Sequence, residues 1–371
     1  MMGSNKILGL IFANTNEKNL PDLTAYRTTA SVPFGGKYRL IDFPLSNMSN
    51  SGINNVGIVT KKNFQSLMDH VGSGSAWDLA RRRSGLSILP PYGEHSFSSI
   101  VETLFNLHGY IEHGDEEYVM ISPSDCVYNM DYSKVLDFAE KKNADITFIY
   151  VKRAVSVLTD DFRCILAMDS DGKVEKIMAT PVSNEECDLN IGVILIRKNV
   201  LMTLVRQAMS ESKYSFVRDV LQPALKDYNL YGYELKGYCE IIGSVKEYYD
   251  ANMKLMDRDT RYKLFDYQRP IYTKVRDDVP SKYGLESDVR GSLIAQGCVI
   301  DGTVENSIIS KGVQIGKGAT VRNCIIMQDS VIGEGVTLSY TVVDKDVRVS
   351  KGSSLQGSPY YPMYIAKKSI V

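Results

Sequence analysis

At 371 residues, the chain is long enough for a large core and more than one domain. Its 43 basic and 44 acidic side chains leave a net charge of −1, which argues against a duplex nucleic-acid binder held by bulk electrostatics but not against small anions held by local charge. There is no apolar run of roughly 18 residues and no signal-peptide pattern, and six scattered cysteines lack CxxC spacing. These features predict a cytoplasmic protein with reduced thiols and no membrane contact.

Residues 6–13, KILGLIFA, predict a buried strand. INNVGIVT (53–60) predicts a second strand, and a helix follows over 61–71. In SIVETLFNLHGYIEH, residues Ile100, Val101, Leu104, Phe105, His108 and Ile111 share one helical face. YVMISPSD (118–125) predicts a third strand, SKVLDFAEKKN (133–143) a helix and DITFIYVK (145–152) a fourth strand. ILAMDSDGKVEKI reads as a hairpin turning at Ser170, Asp171 and Gly172. This alternation predicts an α/β domain with a mostly parallel sheet and helices on both faces. Ligands in such sheets sit at the carboxyl ends of the strands, which here carry residues 14–17, Thr60 and residues 122–125.

After about Ser287 the pattern changes. An aliphatic ladder runs through Ile294, Val299, Val304, Ile308, Val313, Ala319, Ile325, Val331, Val336, Val342 and Val347, in steps of four to six residues punctuated by glycines. That hexapeptide-type period predicts a parallel β-helix with one inward side chain per short face. A β-sandwich is the weaker alternative, because the turns come too often for normal strands. Residues 1–256 then read as the α/β domain, 257–286, holding Pro270 and Pro280, as a linker, and 287–371 as the repeat domain.

The stretches VPFGGKYRLIDFPLSNMSNSGINNVGIVT, GSGSAWDLARRRSGLSILPPY, YNMDYSKVLDFAEKKNADIT and SVKEYYDANMKLMD resemble bacterial glucose-1-phosphate adenylyltransferase (ADP-glucose pyrophosphorylase). The likeness covers nearly the whole chain. It implies a Rossmann-like nucleotidyltransferase domain followed by a left-handed parallel β-helix, assembly as a tetramer, and a role in glycogen synthesis. The family reaction is nucleotidyl transfer from ATP to a sugar phosphate. It needs backbone N–H groups around the triphosphate, Mg²⁺ on carboxylates, and positive charge on the leaving group.

The resemblance also shows what has changed. Where active members carry GGxGxRL, this chain has Asn14, Thr15 and Glu17 for the glycines and Asn19 for the arginine. Asp125 matches the metal-binding aspartate, but its usual partner position is Ile241. Glu240, one residue away, is expected on the opposite face of the strand. The lysine of an EKP triplet is Thr180, the serine before Met-Gly is Asn190, and the first acid of a DFGKD-like stretch is Ser215. Lys37 and Arg39 are retained at i and i+2 and either present two cations to a small anionic effector or form a solvated or salt-bridged pair. Arg81, Arg82 and Arg83 are either a further anion contact or an exposed loop.

Such departures look like those of the GlgD-type subunit. They imply a regulatory, catalytically impaired chain that forms a heterotetramer with a catalytic GlgC-type subunit. Asp125 is then a vestigial metal position, and Mg²⁺ is implied only if activity survives. Two other readings stay open. One is an active adenylyltransferase with an atypical site. The other is a hexapeptide acyltransferase, which is disfavoured because no histidine follows His113 to serve as a base among the coils.

Overall fold

The computed structural model describes residues 6–81, 84–90, 99–155, 161–179, 183–275 and 277–371. The first strand, Ile7–Phe12, is buried along its whole length. Its side chains alternate between two cores, as period-two geometry demands. Ile7 and Ile11 enter one cluster, while Leu8, Leu10 and Phe12 enter the other. Asn55–Val59 lies parallel on one side, followed by Gly85–Leu89, and Tyr118–Pro123 lies parallel on the other side.

The rest of the nine-stranded sheet is mixed. The strand Ser183–Arg197 runs antiparallel to Tyr118–Pro123, to Ile146–Val155 and to Cys164–Met168. Cys164–Met168 and Val174–Met178 form the expected hairpin, with Gly172 at φ 81° in the turn. Leu230–Glu234 joins Ile146–Val155 in parallel. The amino-terminal half is therefore the parallel block that the alternation predicts, and the antiparallel strands extend it.

Two helices differ from expectation. The segment over 99–113 is not one helix but two, Ile100–Asn106 and His108–His113, with Leu107 between them at φ −87°, ψ 6°. The break turns Leu107 into the core and leaves His108 exposed. The helix expected from residue 61 begins only at Gln65. Tyr132–Lys142 is a better-signalled helix: Asp131 accepts from the Ser133 N–H at its start, and Asn143 ends it in the left-handed region. Among the described residues, no helix is long and apolar enough to cross a membrane.

The carboxyl-terminal part is a left-handed β-helix of three five-stranded parallel sheets. Ile308 pairs with Ile325 and Ile325 with Val342, so the coils repeat every 17 residues here. The ladder read from the sequence is partly out of register. Val304, Val313, Ala319, Val336 and Val347 do fill the interior. On the other two faces Ile300, Ile332, Ile309, Ile326 and Val343 lie inward one residue past the ladder, and Ile315 and Val349 lie inward two residues past Val313 and Val347. Ile325 and Val342 point out of the coil into a shared cluster with Phe34, Phe43, Tyr248 and Tyr249 of the first domain. The apolar signal doubles where one face of the β-helix is covered.

This register makes a prediction. Ile300→Ala should cost about 2–5 kcal/mol, because it empties a position inside the coil, while Val299→Ala at the half-buried neighbour should cost under about 1 kcal/mol. Urea unfolding of the two variants checks it, and equal losses would contradict the assignment.

The two parts are bonded as well as packed. The Arg27 guanidinium reaches both oxygens of Asp344 on the β-helix, at 2.7 and 2.9 Å. The Tyr364 hydroxyl donates to the same carboxylate at 2.5 Å, and the Tyr249 hydroxyl donates to the Asn323 carbonyl at 2.8 Å.

Candidate functional site

The carboxyl edge of the parallel block opens onto a cleft of about 570 Å³, lined by Phe12, Asn14, Glu17, Lys61, Ser99 and Phe162 among others. After the first strand the chain makes a tight turn, with Asn16 in the left-handed region at φ 54°. The N–H groups of Asn19 and Leu20 donate to the Asn16 carbonyl at 3.0 and 3.2 Å, so these donors face inward rather than toward a ligand. Asn14 ties the turn to the exit of the second strand. Its carboxamide accepts from the Lys61 N–H at 2.8 Å and donates to Glu17 at 2.6 Å. Burial pushes the Glu17 carboxyl up, and the Asn14 bond and the Lys62 and Lys61 charges oppose this. Burial pushes the Lys61 ammonium down, with Glu17 opposing. Thr15 is buried, its hydroxyl 3.4 Å from that of Ser124.

Asp125 lies one strand away at the same edge and is 0 % exposed. It does not face the cleft as a free carboxylate. The Arg163 guanidinium, 1 % exposed, donates to its two oxygens at 2.6 and 3.1 Å. The Asn16 carboxamide donates to the same group. Arg163 also reaches the Cys126 sulfur at 3.0 Å. Burial holds the Cys126 thiol well above its usual range despite that cation.

The two residues before Arg163 are anchored too. The Phe162 ring meets Phe12 edge-on, with centroids 5.0 Å apart. The Phe162 carbonyl accepts from the buried Asn190 carboxamide at 3.0 Å. The Asp161 carboxylate accepts from the Ser215 hydroxyl at 2.6 Å and from the N–H groups of Phe216 and Val217, at the start of the helical turn Phe216–Leu221.

Ile241 sits on the short strand Cys239–Ile241, directly opposite Cys126, and packs on the core. Glu240 pairs instead with Val127 and binds the Lys254 ammonium at 2.6 Å. The strand's alternation thus turns Glu240 away from Asp125, as expected. Among the described residues, no group of three or more His, Cys, Asp or Glu side chains is placed to hold a metal. Thr180, Arg82 and Arg83 lie outside the described residues. Arg81 is bonded to Asp78 at 2.7 Å on the surface.

A second pocket, of about 450 Å³, lies where the first domain meets the β-helix. Lys37 and Arg39 both line it, as do Lys274, Lys311 and Lys345. The Arg39 guanidinium is anchored on the Ser66 carbonyl and hydroxyl at 2.5 and 3.0 Å. The Lys37 ammonium lies 4.8 Å from the centre of the Tyr38 ring. Burial beside Arg39 and Arg27 pushes the Lys345 ammonium down to about 7, with Asp344 opposing.

Residues 8–258 match the nucleotidyl transferase family, and residues 278–357 match the GlmU-like C-terminal hexapeptide family. The chain is 35 % identical to a glucose-1-phosphate adenylyltransferase of Halalkalibacterium halodurans over 84 % of its own length and 82 % of the relative's. It is 34 % identical to the enzyme of that name from Clostridium acetobutylicum, covering 85 % and 84 %. It is also 34 % identical to the glycogen biosynthesis protein GlgD of Bacillus subtilis, covering 85 % and 83 %. The chain belongs to the bacterial glucose-1-phosphate adenylyltransferase family.

Against that family's chemistry, the Mg²⁺ position does not fit these residues. Mg²⁺ is bound by one or two carboxylates with open positions for water and phosphate. Here the Asp125 carboxylate is buried under a guanidinium and a carboxamide, and the position that the resemblance gives to its partner holds the apolar Ile241. The sequence places Asp125 at this edge and marks Asn190 and Ser215 only as changed family positions; Asp161, Phe162 and Arg163, which bring them together, carry no such mark. One signal was present: Arg163 opens the buried strand segment Cys164, Ile165, Leu166, and an arginine there needs an acid.

Proposed function

We propose that this chain is a regulatory, catalytically impaired subunit of glucose-1-phosphate adenylyltransferase in glycogen biosynthesis. It acts by associating with a catalytic sibling in a heterotetramer. The observation that carries this reading is the Asp125–Arg163 pair, which commits the remaining metal-ligand position to an internal ion pair. Among the described residues, the cleft lacks the glycine cradle and the second carboxylate on which the family's phosphoryl chemistry draws. A subunit of this kind is useful if its contacts favour one conformation of the catalytic partner. The experiment mixes the purified chain with a catalytic subunit. The expected result is a changed turnover or effector response of the mixture. An unchanged catalytic subunit, with no complex on size exclusion, would reject the regulatory role.

The pocket with Lys37 and Arg39 supports a small anionic effector at the junction of the two domains. Lys345 loses its proton in the unliganded chain near pH 7. An anion stabilises the charged form, so binding takes up a proton and tightens as pH falls through that value. Calorimetry with sulfate, a dianion throughout this range, should show weaker binding at pH 8.5 than at pH 6. Lys345→Met should bind weakly at both pH values. A pH-independent wild type would contradict the role of Lys345.

A further inference from the structure

We infer that Arg163 is a resident counter-ion that takes the charge position of a divalent cation at Asp125, and that Asn190 and Ser215, two residues departing from the family pattern, help to form its seat. Both oxygens of Asp125 are engaged by the guanidinium, so cation and guanidinium are mutually exclusive there. The guanidinium is planar and permanently charged, and it matches a carboxylate in a fork geometry that leaves no exchangeable ligand position.

The seat is what separates this arrangement from decay. Random loss at a disused site predicts unrelated side chains, each finding its own partner. Instead, two altered positions converge on one tripeptide, and Asn16, at a variable position of the turn, holds the acid that Arg163 binds. Asn16 donates to Asp125, Asn190 donates to the Phe162 carbonyl, and Ser215 donates to Asp161. Gly192, at φ 88°, closes over the same tripeptide. A Cβ built on it would lie 3.0 Å from the Pro123 Cγ and 3.1 Å from the Phe162 Cβ. Segment 161–163 is therefore held from Phe12 at the end of the first strand, from the long antiparallel strand and from a helix start. It closes the metal side of the cleft from within.

This inference concerns the isolated chain, so it stands or falls apart from any partner and from any activity. The probe is Mn²⁺ alone, followed by the loss of its free EPR signal on addition of the full-length chain. Wild type should show no Mn²⁺ site that Asp125→Asn removes. Ile241→Asp with Arg163 intact should behave like wild type, because the guanidinium still holds Asp125. Ile241→Asp/Arg163→Ala should bind one Mn²⁺ at least about tenfold more tightly, since two carboxylates then share one uncompensated site. Wild-type binding abolished by Asp125→Asn would overturn the inference, and so would equal binding by the Ile241→Asp variants with and without Arg163. If Arg163→Ala does not fold, urea midpoints of Asp125→Asn, the larger and better-filling Arg163→Met and their double variant decide. The double is expected above the lower single, because it removes both charges together. A double whose loss is the sum of the two singles would overturn the pair.

Discussion

Arg27→Met should destabilise the folded chain by about 3–5 kcal/mol, because it strips the partner from a carboxylate that has left water. Arg27 and Asp344 are 2 % and 1 % exposed, and the guanidinium engages both carboxylate oxygens. The Tyr364 hydroxyl and the Lys345 backbone N–H, at 2.5 and 2.6 Å, also donate to Asp344 but bring no full charge. Removing both charges should be far milder. Arg27→Met/Asp344→Leu is expected to recover most of the loss, because well-packed apolar pairs often match buried ion pairs in stability. The two residues are 317 positions apart, one on each domain. The single variant should therefore also loosen the junction and weaken sulfate binding in the pocket that contains Lys345. Urea unfolding measures the first effect and calorimetry the second. A loss below about 1 kcal/mol for Arg27→Met would mean that the pair behaves as a solvent-screened surface contact.

Local periodicity was legible and long-range pairing was not. Strand–helix alternation is written within windows of about ten residues, which is why the parallel block and the helix Tyr132–Lys142 follow from the sequence. The strand Ser183–Arg197 was missed because it begins with the polar run SNEECD and carries a register irregularity between Asn190 and Ile194. The β-helix was legible as a fold but not in full register. Where its face is covered by the first domain, Ile308 and Ile309 are both buried, and alternation can no longer say which one points inward.

The same division holds at the site. Glu240 could be turned away from Asp125 on paper, because strand alternation is a neighbour-to-neighbour rule. Arg163 could not be brought to Asp125, since 38 residues separate them and no period connects a hairpin's first residue to a strand end. The resemblance named which positions had changed. It did not say that Asn190 and Ser215 had acquired new partners, because that is a property of tertiary contact.

If the chain is catalytically impaired as proposed, those contacts govern what gaining activity should require. Reverting only the visible departures, with Ile241→Asp and the turn changes Asn14→Gly, Thr15→Gly, Glu17→Gly and Asn19→Arg, should leave ADP-glucose synthesis at the wild-type background. Arg163 would still neutralise Asp125, and a second acid placed beside Cys126 would join the same ion pair. Adding Arg163→Ala and Thr180→Lys should raise the rate by about 10²-fold or more, since a single well-placed charge-stabilising group is commonly worth 10²–10³ and acts only within an assembled set. The gain should also require a divalent ion, and chelation should return the variant to background. The comparison is made in the isolated chain with ATP and glucose 1-phosphate, following pyrophosphate release. If the set lacking Arg163→Ala is as active as the full set, the guanidinium does not control the site. Independent multiplication of small gains from each reversion would show that these residues never formed a unit.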